Sequence, residues 1–167
     1  EYLNDAITGL QWAMMQKGDS QQALQVVDEY IEKIDDAEKA AEVLLRKAEF
    51  SENMQNIDQA ITQYHDVILK YPESTSAKNA YYSIAVLYEK KGDMEAALAT
   101  YRKQWQTYPE GRQTPDALLA AGNLLFDRKN YDEAIYTFKK LMTDFPGHFN
   151  AGKASYKIGL TFLAQNK

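Results

Sequence analysis

One repeat spacing constrains the fold of this chain more than any other feature. Short residue patterns return along the sequence every 37 residues without a gap. The clearest is an alanine followed by leucine or isoleucine, and its copies stand at Ala23, Ala60, Ala97 and Ala134. We call a set of positions spaced 37 residues apart a column. Three further columns keep the same register: Val27, Tyr64, Tyr101, Phe138; Ile34, Tyr71, Tyr108, Phe145; and Asp35, Pro72, Pro109, Pro146. Several columns in one register predict an array built from one structural unit.

Each unit is predicted to contain two helices joined by a tight turn. Before the alanine, apolar residues recur at helical spacing, as in Tyr81, Ile84 and Tyr88. The turns follow at Gly18-Asp19, Gln55-Asn56, Gly92-Asp93 and Lys129-Asn130. Glycine tolerates the left-handed conformation that ends a helix, and we expect the Asp or Asn to accept from the first amides of the next helix. An aromatic residue and proline then end the second helix, because proline lacks the N–H that a continuing helix needs.

Small residues on both helices predict close helix packing. The first helices carry one column of them, at Ala48, Ala85, Gly122 and Gly159, and the repeating alanine stands on the second helices. A single helical hairpin cannot bury its own apolar face, so neighbouring units must stack. The sequence therefore predicts an all-α fold of stacked helix pairs.

This pattern resembles the tetratricopeptide repeat, whose signature runs from an aromatic through Leu-Gly and Tyr to Ala, Phe and a closing Pro. The third unit matches best, with Tyr81, Ile84-Ala85, Tyr88, Ala97, Tyr101 and Pro109. The second unit departs at Lys47 and Ser51, and the first has Gln11 and Asp35 at the small-residue and proline positions. The resemblance covers essentially the whole chain. It implies a right-handed α-solenoid of antiparallel helix pairs, with about four repeat units plus one additional helix.

The repeat divides the chain into units at roughly 4–37, 38–74, 75–111 and 112–148, with a partial fifth unit at 149–167. The partial unit has an apolar first helix, whereas repeat arrays normally end on a polar capping helix. The sequence also begins at Glu1 without a methionine or a signal peptide. We therefore expect the chain to be a fragment of a longer protein.

A narrower resemblance concerns the residues after each proline. The usual tetratricopeptide period is 34 residues, and the longer period here adds residues in stretches such as "YPESTSAKNAYY". These stretches look like the repeats of bacterial cell-envelope proteins, namely Tol-Pal-associated coordinators and outer-membrane-assembly lipoproteins. That resemblance implies a location in the periplasm or cell envelope. The alternative is a cytoplasmic adaptor or regulatory domain of a larger protein.

Composition and motifs argue against several functional classes. A net charge of −5 with scattered Lys and Arg disfavours nucleic acid as a partner. No run approaches the ~18 apolar residues of a membrane span, so we expect no direct membrane insertion. The chain has no cysteine, its histidines His65 and His148 are far apart, and it lacks a phosphate loop or serine elbow. The sequence predicts no enzymatic activity, no cofactor and no metal.

In the tetratricopeptide family the first helices line a concave face, and the resemblance implies partner binding there. The columns expected on that face change chemistry from unit to unit, unlike the packing columns. Exposed apolar and aromatic side chains commonly mark protein-binding sites. The candidate partner-binding residues are Trp12, Leu45, Glu49, Tyr82, Val86, Glu89, Leu119, Asn123, Asp127 and Tyr156.

The same columns suggest the chemistry of the partner. Family members that clamp a terminal carboxylate use Lys and Asn there, but here only Asn123 fits and Leu119 replaces the lysine. With acidic residues at the border, we predict a neutral or basic, partly apolar peptide or helix of another protein. The alternative is a structural module that self-associates end to end through its apolar terminal helix, which contains Ile158, Leu160, Phe162 and Leu163.

Overall fold

The computed structural model describes residues 8–9 and 20–165. The chain divides into two compact units, each longer than one repeat. From here on, the first unit is Glu1–Ile84 and the second unit is Ala85–Lys167. Beyond the short helical segment at 8–9, the described residues form eight helices and no strand. The helices are α1 (Ser20–Ile31), α2 (Ala37–Asn53), α3 (Ile57–Lys70), α4 (Thr75–Lys91), α5 (Met94–Thr107), α6 (Thr114–Asp127), α7 (Tyr131–Asp144) and α8 (Phe149–Ala164). We call α2, α4, α6 and α8 the first helices of their repeats, and the others the second helices.

In the first unit, α2 packs against α3, and α1 packs against α2. The predicted packing columns of α3 are fully buried at Ala60 and Tyr64. Lys47 departs from the family pattern and is only 8% exposed. Its ammonium group donates to both carboxylate oxygens of Asp28 on α1, at 2.5 and 2.6 Å. A charge-assisted contact therefore stands where other repeats place an apolar residue, because a buried ammonium needs a charged partner.

In the second unit, α5 packs on α6, α6 on α7 and α7 on α8, while α6 also lies beside α8. Ala97, Tyr101, Ala134 and Phe138 are fully buried, as the repeat columns predicted. The second helices α5 and α7 end at Thr107 and Asp144, directly before the predicted aromatic-proline pairs. The partial fifth unit forms α8, a helix of 16 residues.

A close approach between two helices occurs at Gly122 of α6. A methyl group in place of its hydrogen would lie 2.7 Å from Cδ1 of Phe138 and 2.8 Å from its Cζ. The aromatic ring of α7 therefore rests on the backbone of α6, which only glycine permits here. Gly159 holds the same repeat position on α8, where an added methyl group would have no neighbour within 4 Å.

The turns between paired helices have the expected left-handed residue, including at two non-glycine positions. Gly92 has φ 80°, and Gln55 and Lys129 have φ 62° and 61°. Asp93 Oδ1 accepts from the amide of Ala96 at 3.0 Å, as predicted. Gly18-Asp19 lies outside the described residues.

The same capping prediction was wrong for Asn56 and Asn130, which make no side-chain cap. Their backbone amides donate to Ser51 O and Leu125 O, at 2.9 and 2.8 Å, and the amide of Asp93 likewise donates to Tyr88 O at 2.9 Å. The three turns share this backbone bond, and the side-chain caps differ because a neutral amide is a weaker acceptor than a carboxylate at the positive end of a helix.

Substitution of alanine at the two glycines should have opposite effects. Gly122→Ala forces the Phe138 ring away, and we expect a loss of about 1–2 kcal/mol in the free energy of unfolding after the gain in helix propensity. Gly159→Ala meets no neighbour and should gain up to about 1 kcal/mol from propensity alone. Urea unfolding followed by circular dichroism measures both, and equal effects would contradict the close contact.

The left-handed turn positions should also respond in opposite directions. Lys129→Gly removes the clash of a side chain at positive φ and should stabilise the protein by about 0.5–1 kcal/mol. Gly92→Ala introduces that clash and should destabilise it by about 1 kcal/mol, since no atom near the added methyl group contributes sterically. Thermal unfolding of the two variants tests this, and a destabilised Lys129→Gly variant would rule out the strain.

Candidate functional site

Two first helices hold a glutamate that contacts the buried tyrosine of the following second helix. Tyr64 Oη donates to Glu52 Oε2 at 3.1 Å, and Tyr101 Oη donates to Glu89 Oε1 at 2.5 Å. Burial, and next the charge of Glu52, raise the pKa of Tyr64 well above its usual range. Glu89 was predicted on the partner-binding face, yet one of its carboxylate oxygens accepts the hydrogen bond from the buried Tyr101. The repeat spacing alone did not reveal this structural contact.

In the first unit, three predicted site residues lie on the first helices. Leu45 and Tyr82 are half-buried, and Glu49 is exposed. Although the Glu49 side chain reaches solvent, desolvation of its carboxyl group by the surrounding protein raises its pKa. The charge of Arg46 opposes this rise, and the charge of Glu52 adds to it. Trp12, the fourth residue predicted for this end of the chain, lies outside the described residues.

In the second unit, six predicted site residues lie on three first helices. Val86 and Glu89 on α4 are half-buried, as are Leu119 and Asn123 on α6. Asp127 is exposed at the end of α6, and Tyr156 on α8 is 67% exposed. Since α6 and α8 lie side by side, the structure brings the residues of these two helices to neighbouring positions.

Asn123 adds a polar feature that the sequence did not indicate. Its Oδ1 atom is buried and has no hydrogen-bond partner. An unpaired buried acceptor is costly and uncommon in native proteins. This carbonyl oxygen lies beneath the surface and does not face a partner. The candidate site in this unit therefore rests on the exposed aromatic ring at Tyr156 and on the half-buried side chains of Leu119 and Asn123.

A second polar region of this unit lies between α5, the end of α6 and the start of α7. A cleft of about 350 Å³ is lined by Glu95, Leu98, Arg102, Leu125, Arg128, Asn130 and Glu133. Two ion pairs occupy it, Arg102 with Glu133 and Arg128 with Glu95.

The second of these contacts recurs one repeat further on. There, Gln165 Nε2 donates to Asp132 Oδ1 at 2.8 Å, and both residues lie 37 positions after Arg128 and Glu95. We interpret the cleft as a link between consecutive repeats, since its charged groups are paired with each other.

The described parts of the chain contain neither a cluster of metal-binding side chains nor a helix that could span a membrane. Over residues 8–9 and 20–165, no three His, Asp or Glu side chains are grouped so that they could hold a metal ion. Within the same ranges, no helix combines the length and apolar character needed to cross a membrane.

The sequence matches two family models, both described as tetratricopeptide repeat, over residues 52–111 and 116–148. No curated protein sequence matches at a significant level.

Several solved structures share the fold. BtubC (BKLC) from P. vanneervenii is 11% identical with a TM-score of 0.68, over 98% of this chain and 83% of that one. MamA protein is 19% identical with a TM-score of 0.65, over 99% and 84%. A tetratricopeptide repeat protein from Parabacteroides merdae ATCC 43184 is 18% identical with a TM-score of 0.67, over 96% and 60%.

The family matches and the structural neighbours agree with the repeat columns and with the helix pairs in each unit. Such repeats generally form non-enzymatic scaffolds for protein interaction. The structural likeness at these low identities concerns the fold alone, and the family assignment rests on the repeats themselves. The chain belongs to the tetratricopeptide repeat family, with an all-α fold of the solenoid class.

Proposed function

We propose that this chain is a non-enzymatic scaffold that binds a peptide or helical segment of another protein on the surface of its first helices. One contrast carries the proposal. The packing columns are uniform and buried, whereas the columns at Leu119, Asn123 and Tyr156 change chemistry between repeats and remain accessible. Helix packing explains why the buried columns are uniform. We propose that binding of a partner explains why the accessible columns vary.

The chemistry of the site favours a partner with apolar side chains. The exposed ring of Tyr156 offers a large apolar contact, and aromatic anchors supply much of the binding energy in protein interfaces. Exposed carboxylates at Glu49 and Asp127 favour neutral or basic segments over acidic ones.

Two exposed tyrosines provide a matched test of this site. Tyr156 on α8 and Tyr136 on the second helix α7 are 67% and 69% exposed. Peptides selected on the chain from a displayed library of random 16-residue sequences should bind at least about tenfold more weakly to Tyr156→Ala. Tyr136→Ala should leave their affinity unchanged. Equal losses in both variants, or none in either, would refute the proposed surface.

Self-association end to end is a second candidate function. It is favoured by the exposed apolar side chains of α8, where Phe162 and Leu163 are 39% and 71% exposed. Under this alternative the molecular mass from light scattering rises with concentration. A mass that stays monomeric across the accessible concentrations eliminates it.

We also propose the periplasm or cell envelope as the location, with a cytoplasmic adaptor or regulatory domain of a larger protein as the alternative. The support is the resemblance of the residues after each proline, such as "YPES" at 71–74, to repeats of cell-envelope proteins. Fractionation of native cells with an antibody to this chain distinguishes the two, and recovery in the cytoplasm would contradict the envelope.

A further inference from the structure

Three first helices begin at a side-chain cap, and each cap belongs to a different residue type. The carboxylate of Asp36 caps α2, and the hydroxyl group of Ser74 accepts from the amide of Ala77 in α4 at 3.0 Å. At the start of α8, His148 Nδ1 accepts from the amide of Asn150 at 3.2 Å. Of these three groups, imidazole is the one that changes its charge between about pH 8 and pH 5.

His148 and Ser74 hold the same position in the repeat. The segment "YPES" at 71–74 precedes α4, the segment "FPGH" at 145–148 precedes α8, and the two end at positions two repeat spacings apart. A serine hydroxyl group accepts a hydrogen bond throughout this pH range, whereas an imidazole nitrogen accepts only when it is unprotonated. The last described repeat therefore carries a pH-dependent cap where α4 has a pH-independent one.

Protonation of His148 acts on α8 in two ways that have the same sign. Both nitrogens of an imidazolium are donors, so the amide of Asn150 loses its acceptor. The new positive charge also lies at the positive end of the helix dipole, where it is unfavourable. An unperturbed imidazole protonates near about pH 6.5. The cap is therefore present above about pH 7 and is lost as the pH falls below about 6.

The residue that His148 caps also attaches α8 to α6. Asn150 is 1% exposed, and its side-chain Nδ2 donates to Asp116 Oδ1 of α6 at 2.7 Å. Its backbone amide and its side chain are thus held by different partners on different elements. When the amide is released, the first turn of α8 gains freedom, and the bond to Asp116 must hold a less ordered residue.

The other charged groups near this turn largely offset one another. On α8, the ammonium of Lys153 lies 4.5 Å from the centroid of the Phe149 ring, and that centroid lies 4.6 Å from the centroid of the His148 ring. At the end of α7, Asp144 is paired with Lys140 at 2.6 Å. With the carboxylate of α6, two negative groups stand against two positive ones. The loss of the cap and the helix dipole therefore decide the sign of the effect.

We propose that His148 is a pH-sensitive cap, which fastens the first turn of α8 at neutral pH and releases it in acid. This device needs no bound partner. Tyr156 lies further along the same helix, so the release would also make binding at the proposed partner site weaker in acid. That consequence, unlike the cap itself, rests on the proposed function.

Thermal unfolding of the 167-residue chain, followed by circular dichroism from about pH 8 to about pH 5.5, tests the cap against His148→Ser. The variant has the serine cap of α4, so we expect similar melting temperatures at the upper pH. At the lower pH the original chain should melt about 2–4 °C below the variant. His148→Lys carries a fixed charge and no acceptor, and should melt below His148→Ser at both pH values.

The second histidine provides the matched control. His65 is exposed on α3 in the first unit, and His65→Gln should keep the pH dependence of the original chain. Desolvation raises the pKa of Glu49, but this carboxyl group is present in every variant, and its titration cancels when variants are compared at one pH.

A second measurement needs no substitution. In nuclear magnetic resonance spectra of the unmodified chain, the amide signal of Asn150 should move with pH and share its midpoint with the ring signals of His148. The shared midpoint is expected because the imidazole nitrogen is the acceptor of that amide.

Three results would overturn the proposal. The first is a pair of parallel melting curves against pH for the original chain and His148→Ser. The second is an Asn150 amide signal that does not follow the His148 ring. The third is loss of the pH dependence in His65→Gln. None of these measurements involves a bound peptide, so their outcome is independent of the test of the partner site.

Discussion

The packing of the Phe138 ring on Gly122 holds the helix pair α6 and α7 together. At Gly122 the ring of Phe138 lies where a methyl group would stand, 2.7 Å from ring carbon Cδ1. Such an approach lets two helix backbones pack closely and buries the ring completely. The repeating alanine of the second helix and the turn between the helices keep the pair in register.

Residues around the ring change in a coordinated way. Where the aromatic residue is Tyr64 or Tyr101, the facing first helix supplies a glutamate that accepts the hydroxyl hydrogen. Where it is phenylalanine, the glutamate is replaced by an apolar residue. A buried hydroxyl group needs an acceptor, and a buried carboxylate needs a donor, so each is retained only with the other. The same logic applies to Lys47, which is buried beside Asp28 where other repeats are apolar.

Most of the fold could be predicted from the sequence because periodic packing leaves a periodic pattern. The columns at Ala60, Ala97 and Ala134 are buried as expected, and the helices end before their prolines. The sequence did not predict that Asn56 and Asn130 make no side-chain cap, because Asp and Asn are both common capping residues and only the structure shows which side chain accepts from an amide. The candidate site was less predictable. The position of Glu89 on a first helix predicted that it lies on a binding face, but its hydrogen bond from Tyr101 depends on where two helices meet.

The sequence by itself determined the repeat, the helix pairs, their turns and the family, since each depends on residue spacing within one helix or between consecutive helices. Only the tertiary structure decided which side chains remain accessible. Tyr156 and Leu163 are large, mainly apolar side chains of one helix, and their exposure depends on which parts of that helix the other helices cover. The unpaired oxygen of Asn123 and the open space at Gly159 likewise depend on neighbours that spacing does not specify. Burial is a property of the assembled helices, whereas periodicity is a property of the chain.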